Sequence, residues 1–219
     1  MENQQNNQQI IPEATVSGSY GHAWETLKRC FPEMLLIFLI QFLVSLPMGL
    51  SGIFFDSALY GVVFPGFFNI VYGVVVLSPV SYGANWVYLK AVRGEQFKAS
   101  DMFFAFQQIG NVLLSVLLVG LIVGIGIVLL IVPGIIFACK LAFVPYLVMD
   151  EKMEAVDAVR KSWQMTAGFT GNIFLMAVAA FFVGLLGFIC LIVGIIPAGM
   201  WISLAFATIY MAVAGRAKP

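Results

Sequence analysis

Lys140 is the one charged residue inside a long apolar run, 109–149, and so the first place to look for chemistry. It lies ten positions before Asp150, about 15 Å along a helix, which places it near the middle of a bilayer. A lysine there costs about 2.5–3.5 kcal/mol on insertion scales, so it needs protein, water or a counter-ion around it. Asp56, Gln41, Asn69, Asn85, Asn172, backbone carbonyls and an anionic ligand are the candidate partners. Two readings stay open. Lys140 contacts an anion or lipid headgroup in a bundle cavity, or it is a snorkelling or hydrogen-bonded lysine that locks helix packing.

Little else in the chain has catalytic character. Gly49–Leu50–Ser51–Gly52 matches the Gly-x-Ser-Gly of intramembrane serine proteases, but a serine nucleophile needs a base within hydrogen-bond reach. The sole histidine, His22, precedes the first apolar run, while Ser51 ends it, so a bilayer separates them. Cys30, Cys139 and Cys190 are far apart and form no Cys-x-x-Cys; they read as small buried hydrophobes. Walker, His-Glu-x-x-His and paired intramembrane carboxylate patterns do not occur. The expectation is a non-enzyme with no catalytic residue, no metal and no cofactor.

The bulk composition says what must position Lys140. Of 219 residues, 61% are hydrophobic and 10% charged, with eleven basic and eleven acidic residues. Soluble domains carry about 25% charged residues to wet their surface, so a soluble fold is excluded. Zero net charge leaves no basic field for nucleic acid. Helical spans are expected at about 34–54, 68–90, 110–131, 133–150, 171–192 and 196–214, with Ile131–Val132–Pro133–Gly134 and Gly194–Ile195–Ile196–Pro197 as breaks within the two long runs. Glycines 120, 124, 126, 184, 187 and 194 are expected to let helices approach closely. The fold class is all-α, a polytopic bundle of six transmembrane helices in one domain, 18–219, after a disordered polar tail, 1–17.

Orientation follows from the loops. Lys28, Arg29, Lys90, Arg93, Lys98, Lys152, Arg160, Lys161, Arg216 and Lys218 all fall on one side, and the opposite loops carry no basic residue. The positive-inside rule puts that side and both termini in the cytoplasm. Three short amphipathic helices are expected there: 19–31 with Tyr20, Trp24, Leu27 and Phe31 on one face, 100–108 with Ser100 as N-cap, and 151–165 with Val156, Val159 and Trp163 on one face. They lie in the interface or dock on the bundle. Each precedes an outgoing and a returning span, which suggests a threefold internal repeat. The returning spans carry Tyr88, Tyr146 and Tyr210 near their cytoplasmic ends.

These residues resemble a known family. VPGIIFACKLAFVPYLVMDEKMEAVDAVRKSWQMTAGFTGNIF (132–174) is similar to the hallmark stretch of a bacterial integral membrane family, domain of unknown function 975. That family is related to the membrane domain attached to some glycerophosphodiester phosphodiesterases. Pro133, Gly134, Lys140, Tyr146, Asp150, Ala158, Ser162 and Gly168 fit its pattern, as do Arg93, Gly94, Asp101, Phe103 and Phe106 in LSPVSYGANWVYLKAVRGEQFKASDMFFAF (77–106). Such families often carry Arg where Lys140 stands. The resemblance implies the fold and a multi-pass protein of a bacterial inner membrane. It implies no phosphodiesterase activity, because no hydrolase domain is present.

The function expected is membrane organisation through lipid or a partner protein, with the bilayer and an anionic lipid or small-molecule ligand as partners. The alternative is a transporter or channel for a small or lipid-like anion using Lys140.

Overall fold

The computed structural model describes residues 14–54, 63–189 and 191–217, and among these the regular structure is all helical. Helix α1 (Val16–Arg29) leads into α2 (Phe31–Phe54). Helix α3 (Val63–Tyr72) passes through a π turn (Gly73–Leu77) into α4 (Ser78–Arg93). A 3₁₀ segment (Ala99–Gln108) runs on into α5 (Ile109–Leu129), followed by α6 (Ile131–Lys140), α7 (Val144–Asp150) and α8 (Ala155–Met165). Helices α9 (Thr170–Ile189) and α10 (Leu191–Ala217) complete the described chain. Among the described residues six stretches are long and apolar enough to cross a membrane, and the chain is a multi-pass membrane protein. Asp56 and Cys190 lie outside the described residues.

The spans divide into two layers. Only 17% of the apolar stretch of each outgoing span (Phe31–Ser51, Ala99–Leu129, Thr170–Ile189) is buried, against 28%, 44% and 44% for the returning spans Gly66–Arg93, Ile131–Asp150 and Gly194–Gly215. Helix α4 packs on both α7 and α10, and Tyr146 stacks on Tyr210 with ring centres 4.9 Å apart. Tyr88 and Tyr210 are fully buried. The three tyrosines singled out in the returning spans therefore belong to the innermost layer. Outside it, Leu43, Leu121 and Phe181 are exposed, a surface suited to hydrocarbon rather than to water.

Several elements differ from expectation. The tail was drawn to residue 17, yet α1 starts at Val16, capped by Thr15 Oγ1 accepting from Gly18 N at 3.3 Å. Ala14 is buried and its carbonyl accepts from Asn172 Nδ2 at 2.7 Å. Pro197 does not break the last run; it lies inside α10, as Pro47 lies inside α2. Span four is not one helix. Pro145 has no N–H, so the chain turns through Leu141–Phe143 between α6 and α7, with Val144 N–H on the Leu141 carbonyl at 3.2 Å. Ser100 is not a cap. Lys98 holds that position, and Asp101 Oδ2 accepts from its N–H at 3.3 Å.

The short helices each dock by one face. In α8 the buried residues are Ala155, Ala158, Ser162 and Met165, while Val156 and Trp163, read on one face, are exposed. In α1, Tyr20, Ala23 and Leu27 are buried and Trp24 points out, as does Phe31 just beyond it at the start of α2. In the 3₁₀ segment Met102 and Ala105 are buried and Phe103 and Phe106 are exposed.

Glycine placement separates two classes. A Cβ on Gly83 would stand 1.7 Å from the Met102 carbonyl oxygen, so only glycine admits the 3₁₀ segment against α4. Gly126 and Gly134 meet across the α5–α6 hairpin, where a Cβ on Gly126 would come 2.9 Å from Gly134 Cα. Gly187 meets Gly194 and Ala198 in the same way across α9–α10. Gly120, Gly124 and Gly184, expected to be contact glycines, face open space. Gly83→Ala is expected to lower the thermal midpoint in detergent, at a cost of about 1–3 kcal/mol from overpacking. Gly124→Ala, with nothing to strike, should hold or raise it by up to about 1 kcal/mol. Differential scanning fluorimetry of the two variants checks this.

Candidate functional site

The densest polar cluster ties the returning spans together at their shared end. Arg93, in the last turn of α4, makes two parallel bonds to Asp150 at the end of α7, at 2.5 and 2.6 Å. Tyr210 of α10 donates to the same carboxylate at 3.2 Å. A bidentate guanidinium and a phenol thus join three helices at one side chain. Both charges are mostly buried, with side chains 21% and 16% exposed. Gly94 ends α4 in the left-handed conformation (φ 73°), and its N–H returns to the end of the helix. Helix α1 reaches the same end: His22 Nε2 lies 3.2 Å from the Val92 oxygen, and Arg29 donates at 3.1 Å to the Ala91 oxygen, which also accepts the Gly94 N–H. The sole histidine caps a helix.

Asp101 forms a second knot. It pairs with Lys90 of α4 at 2.9 Å, and Lys90 Nζ also sits 3.7 Å from the centre of the Trp86 ring. Of the residues read from the sequence, Arg93 and Asp150 meet directly, Gly94 closes the same helix end, and Tyr146 stacks against Tyr210 beside them. Pro133 and Gly134 are elsewhere, in the first turn of α6 at the far end of the hairpin. Tyr210 as a ligand of Asp150 was not foreseen; the repeated tyrosine positions were its only trace in the sequence.

Lys140 is apart from both knots. It ends α6, where the turn before Pro145 diverts Val144 N–H to Leu141. The freed Lys140 carbonyl accepts from Ser162 Oγ at 2.7 Å and Thr166 Oγ1 at 3.3 Å, both near the end of α8. Its ammonium lies 4.4 Å from the centre of the Trp163 ring. The end of α8 thus meets the end of α6, while the helix itself packs on α5 and α7 and the Lys161–Glu151 ion pair ties it to the end of α7. In place of a carboxylate or amide partner the ammonium has a tryptophan on an amphipathic helix. Other candidate partners are engaged elsewhere: Gln41 with Tyr88, Asn69 with Ser51, Asn172 with Ala14. Among the described residues no carboxylate pairs with Lys140.

The same motif recurs. Lys28 lies 5.8 Å from the Trp24 ring, and Trp24 packs on Trp201, whose Nε1 donates to the Tyr20 carbonyl at 2.9 Å. Trp24, Trp86 and Trp163 each pair with a lysine: Trp24–Lys28 and Trp86–Lys90 lie in the first unit of the suggested repeat, and Trp163 of the third meets Lys140 of the second. Burial pushes the Tyr20 phenol up to about 12, so it stays protonated and donates to the Met176 carbonyl at 3.4 Å. Ser51 Oγ, 2.8 Å from the Met48 carbonyl, is a helix-internal contact.

No family model matches the chain, and no curated protein and no solved structure is found similar to it.

Two predictions test the site. Asp150→Asn leaves Arg93 mostly buried without its counter-charge and is expected to cost about 3–5 kcal/mol, most of it recovered in the Arg93→Met/Asp150→Leu pair. A double-mutant cycle on unfolding in detergent measures the coupling. Ser162→Ala with Thr166→Val strips both donors from the Lys140 carbonyl, an expected loss of about 1–3 kcal/mol with faster amide exchange across 137–147. Hydrogen exchange with mass spectrometry reads it.

Proposed function

We propose that this chain is a non-enzymatic bacterial inner-membrane protein that binds and orders lipid at the cytoplasmic interface, with both termini cytoplasmic. The observation that carries this reading is the outward face of the three short segments. Each docks on the bundle by small or buried residues and turns aromatic or branched side chains out: Trp24 and Phe31, Phe103 and Phe106, Val156 and Trp163. Beside them lie the lysine–tryptophan pairs. Apolar rings with cations next to them suit headgroup depth, where ring and charge each find their medium. The one-sided distribution of basic residues supports the orientation.

The packed centre argues for lipid binding over solute passage. Tyr88, Tyr210 and Phe143 are fully buried between the returning spans, and Lys140 faces Trp163 rather than that centre. The resemblance of 77–106 and 132–174 to the bacterial membrane family agrees with this reading and adds no activity to it.

The test uses proteoliposomes of phosphatidylcholine and phosphatidylglycerol with spin-labelled lipid. The wild type should immobilise a shell of lipid, and Trp24→Ser/Phe103→Ser/Phe106→Ser/Trp163→Ser together should shrink it. An unchanged shell, or saturable anion uptake that Lys140→Leu abolishes, would sink the reading.

A further inference from the structure

A groove of about 550 Å³ runs between α6 and α9, in the size range of small-ligand sites. Its walls are apolar: Ala138 and Cys139 of α6, Ala142 of the turn after it, Ala177 and Phe181 of α9, and Phe206 of α10. The spacing is helical. Residues 135, 138 and 139 form one stripe of α6, and 174, 177, 178 and 181 form one stripe of α9. Small side chains on facing helices ordinarily bring the backbones together in a membrane. At the α5–α6 hairpin they do so, through Gly126 and Gly134. Here Ala138, Ala142 and Ala177 line an open channel instead, so the space has the section and chemistry of an acyl chain.

The adjoining stripe of α6 carries the charge. Phe137 and Lys140, one turn apart, lie under Trp163, with the Phe137 and Trp163 ring centres separated by 5.4 Å. Lys140 stands between the groove-lining residues Cys139 and Ala142 in the chain, at the end of α6. Its ammonium has an aromatic face and, among the described residues, no carboxylate. A cation in apolar surroundings with no counter-charge is complementary to an anionic headgroup. Arg160, exposed one turn before Trp163 on α8, adds a second positive charge on that side.

We propose that the α6–α9 groove holds one acyl chain of a phospholipid with an anionic headgroup, whose phosphate sits against Lys140. This rests on the lipid-binding reading and names the lipid and the residues that select it. Free phosphate lacks the chain, and a zwitterionic lipid lacks the net charge.

The experiment is native mass spectrometry of the full chain exchanged against mixed micelles of phosphatidylglycerol and phosphatidylcholine. The wild type should retain one phosphatidylglycerol in preference. Lys140→Gln should keep a lipid but lose about fivefold in headgroup preference. Ala177→Phe fills the groove and should release lipid of either headgroup. Lys161→Gln, whose ammonium already pairs with Glu151, should change nothing. Glycerol 3-phosphate should fail to displace the lipid; displacement would assign the site to the headgroup alone and overturn the groove. So would a wild type without retained lipid, a Lys140→Gln protein with intact preference, or an Ala177→Phe protein that keeps its lipid. Circular dichroism confirms that each variant is folded. The immobilised lipid shell is read on Ala177→Phe as well and should match the wild type, so loss of the groove lipid and failure of the interfacial reading give different results.

Discussion

Hydrocarbon around a membrane bundle is as apolar as the side chains within it, so burying Leu or Phe gives little net reason for spans to associate. Polar contacts that lipid cannot replace, and backbone approaches closer than lipid can follow, have to hold the helices. In this chain the polar contacts converge on Asp150. Its carboxylate takes both arms of Arg93 and the phenol of Tyr210, so the ends of α4, α7 and α10 share one acceptor. The layering of the fold follows from that sharing. The returning spans are drawn to a common centre at one end, and the outgoing spans are left outside, mostly facing lipid. At the other end of the hairpins glycine does the holding, with Gly126 against Gly134 and Gly187 against Gly194.

The same need for pairing explains the break in the fourth span. Pro145 removes one donor, and the turn that results frees the Lys140 carbonyl. A bare carbonyl in apolar surroundings costs free energy comparable to a lost hydrogen bond. Ser162 and Thr166 supply the donors, which brings the end of α8 to the end of α6 and lays Trp163 over the Lys140 ammonium. One missing N–H thus accounts for the helix break, the placement of the end of α8 and the surroundings of the one charge in the apolar run.

The six spans were legible because hydropathy over about twenty residues is a strong constraint. So was the break at Ile131–Gly134, where Leu130 is extended between α5 and α6; the effect of the other prolines was not. Pro145 interrupts its span while Pro47 and Pro197 ride inside helices, and nothing local distinguishes them, since neighbouring helices and hydroxyls decide whether a freed carbonyl is satisfied. Contact glycines fared similarly: Gly126 touches a neighbour and Gly124, two residues away, does not, because the hairpin's rotation is a tertiary fact. The amphipathic faces were legible only in part: Tyr20 and Leu27, read on one face with Trp24, are buried while Trp24 is exposed. In α8 the stripe turned inward is Ala155, Ala158, Ser162 and Met165, because small residues permit close docking and Trp163 has lipid to face. Arg93, Asp150 and Asp101 were recognised as a pattern, but their partners were not readable from spacing.

The three lysine–tryptophan pairs are alike in kind and unequal in their counter-charges. Lys90 has both Trp86 and Asp101, so its charge is neutralised by the segment that follows α4. Lys28, in the last turn of α1 and 5.8 Å from the Trp24 ring, lies where its charge also favours the helix end. Lys140 also follows the last turn of its helix, but its carbonyl is already engaged and its ammonium has only the Trp163 face. A bundle that neutralises Lys90 and leaves Lys140 with an aromatic face, one helix stripe from an apolar groove, has given the two lysines different chemistry. On the proposed reading that asymmetry puts lipid selection at α6, α8 and α9 and leaves the knot of Arg93, Asp150 and Tyr210 free to hold the bundle.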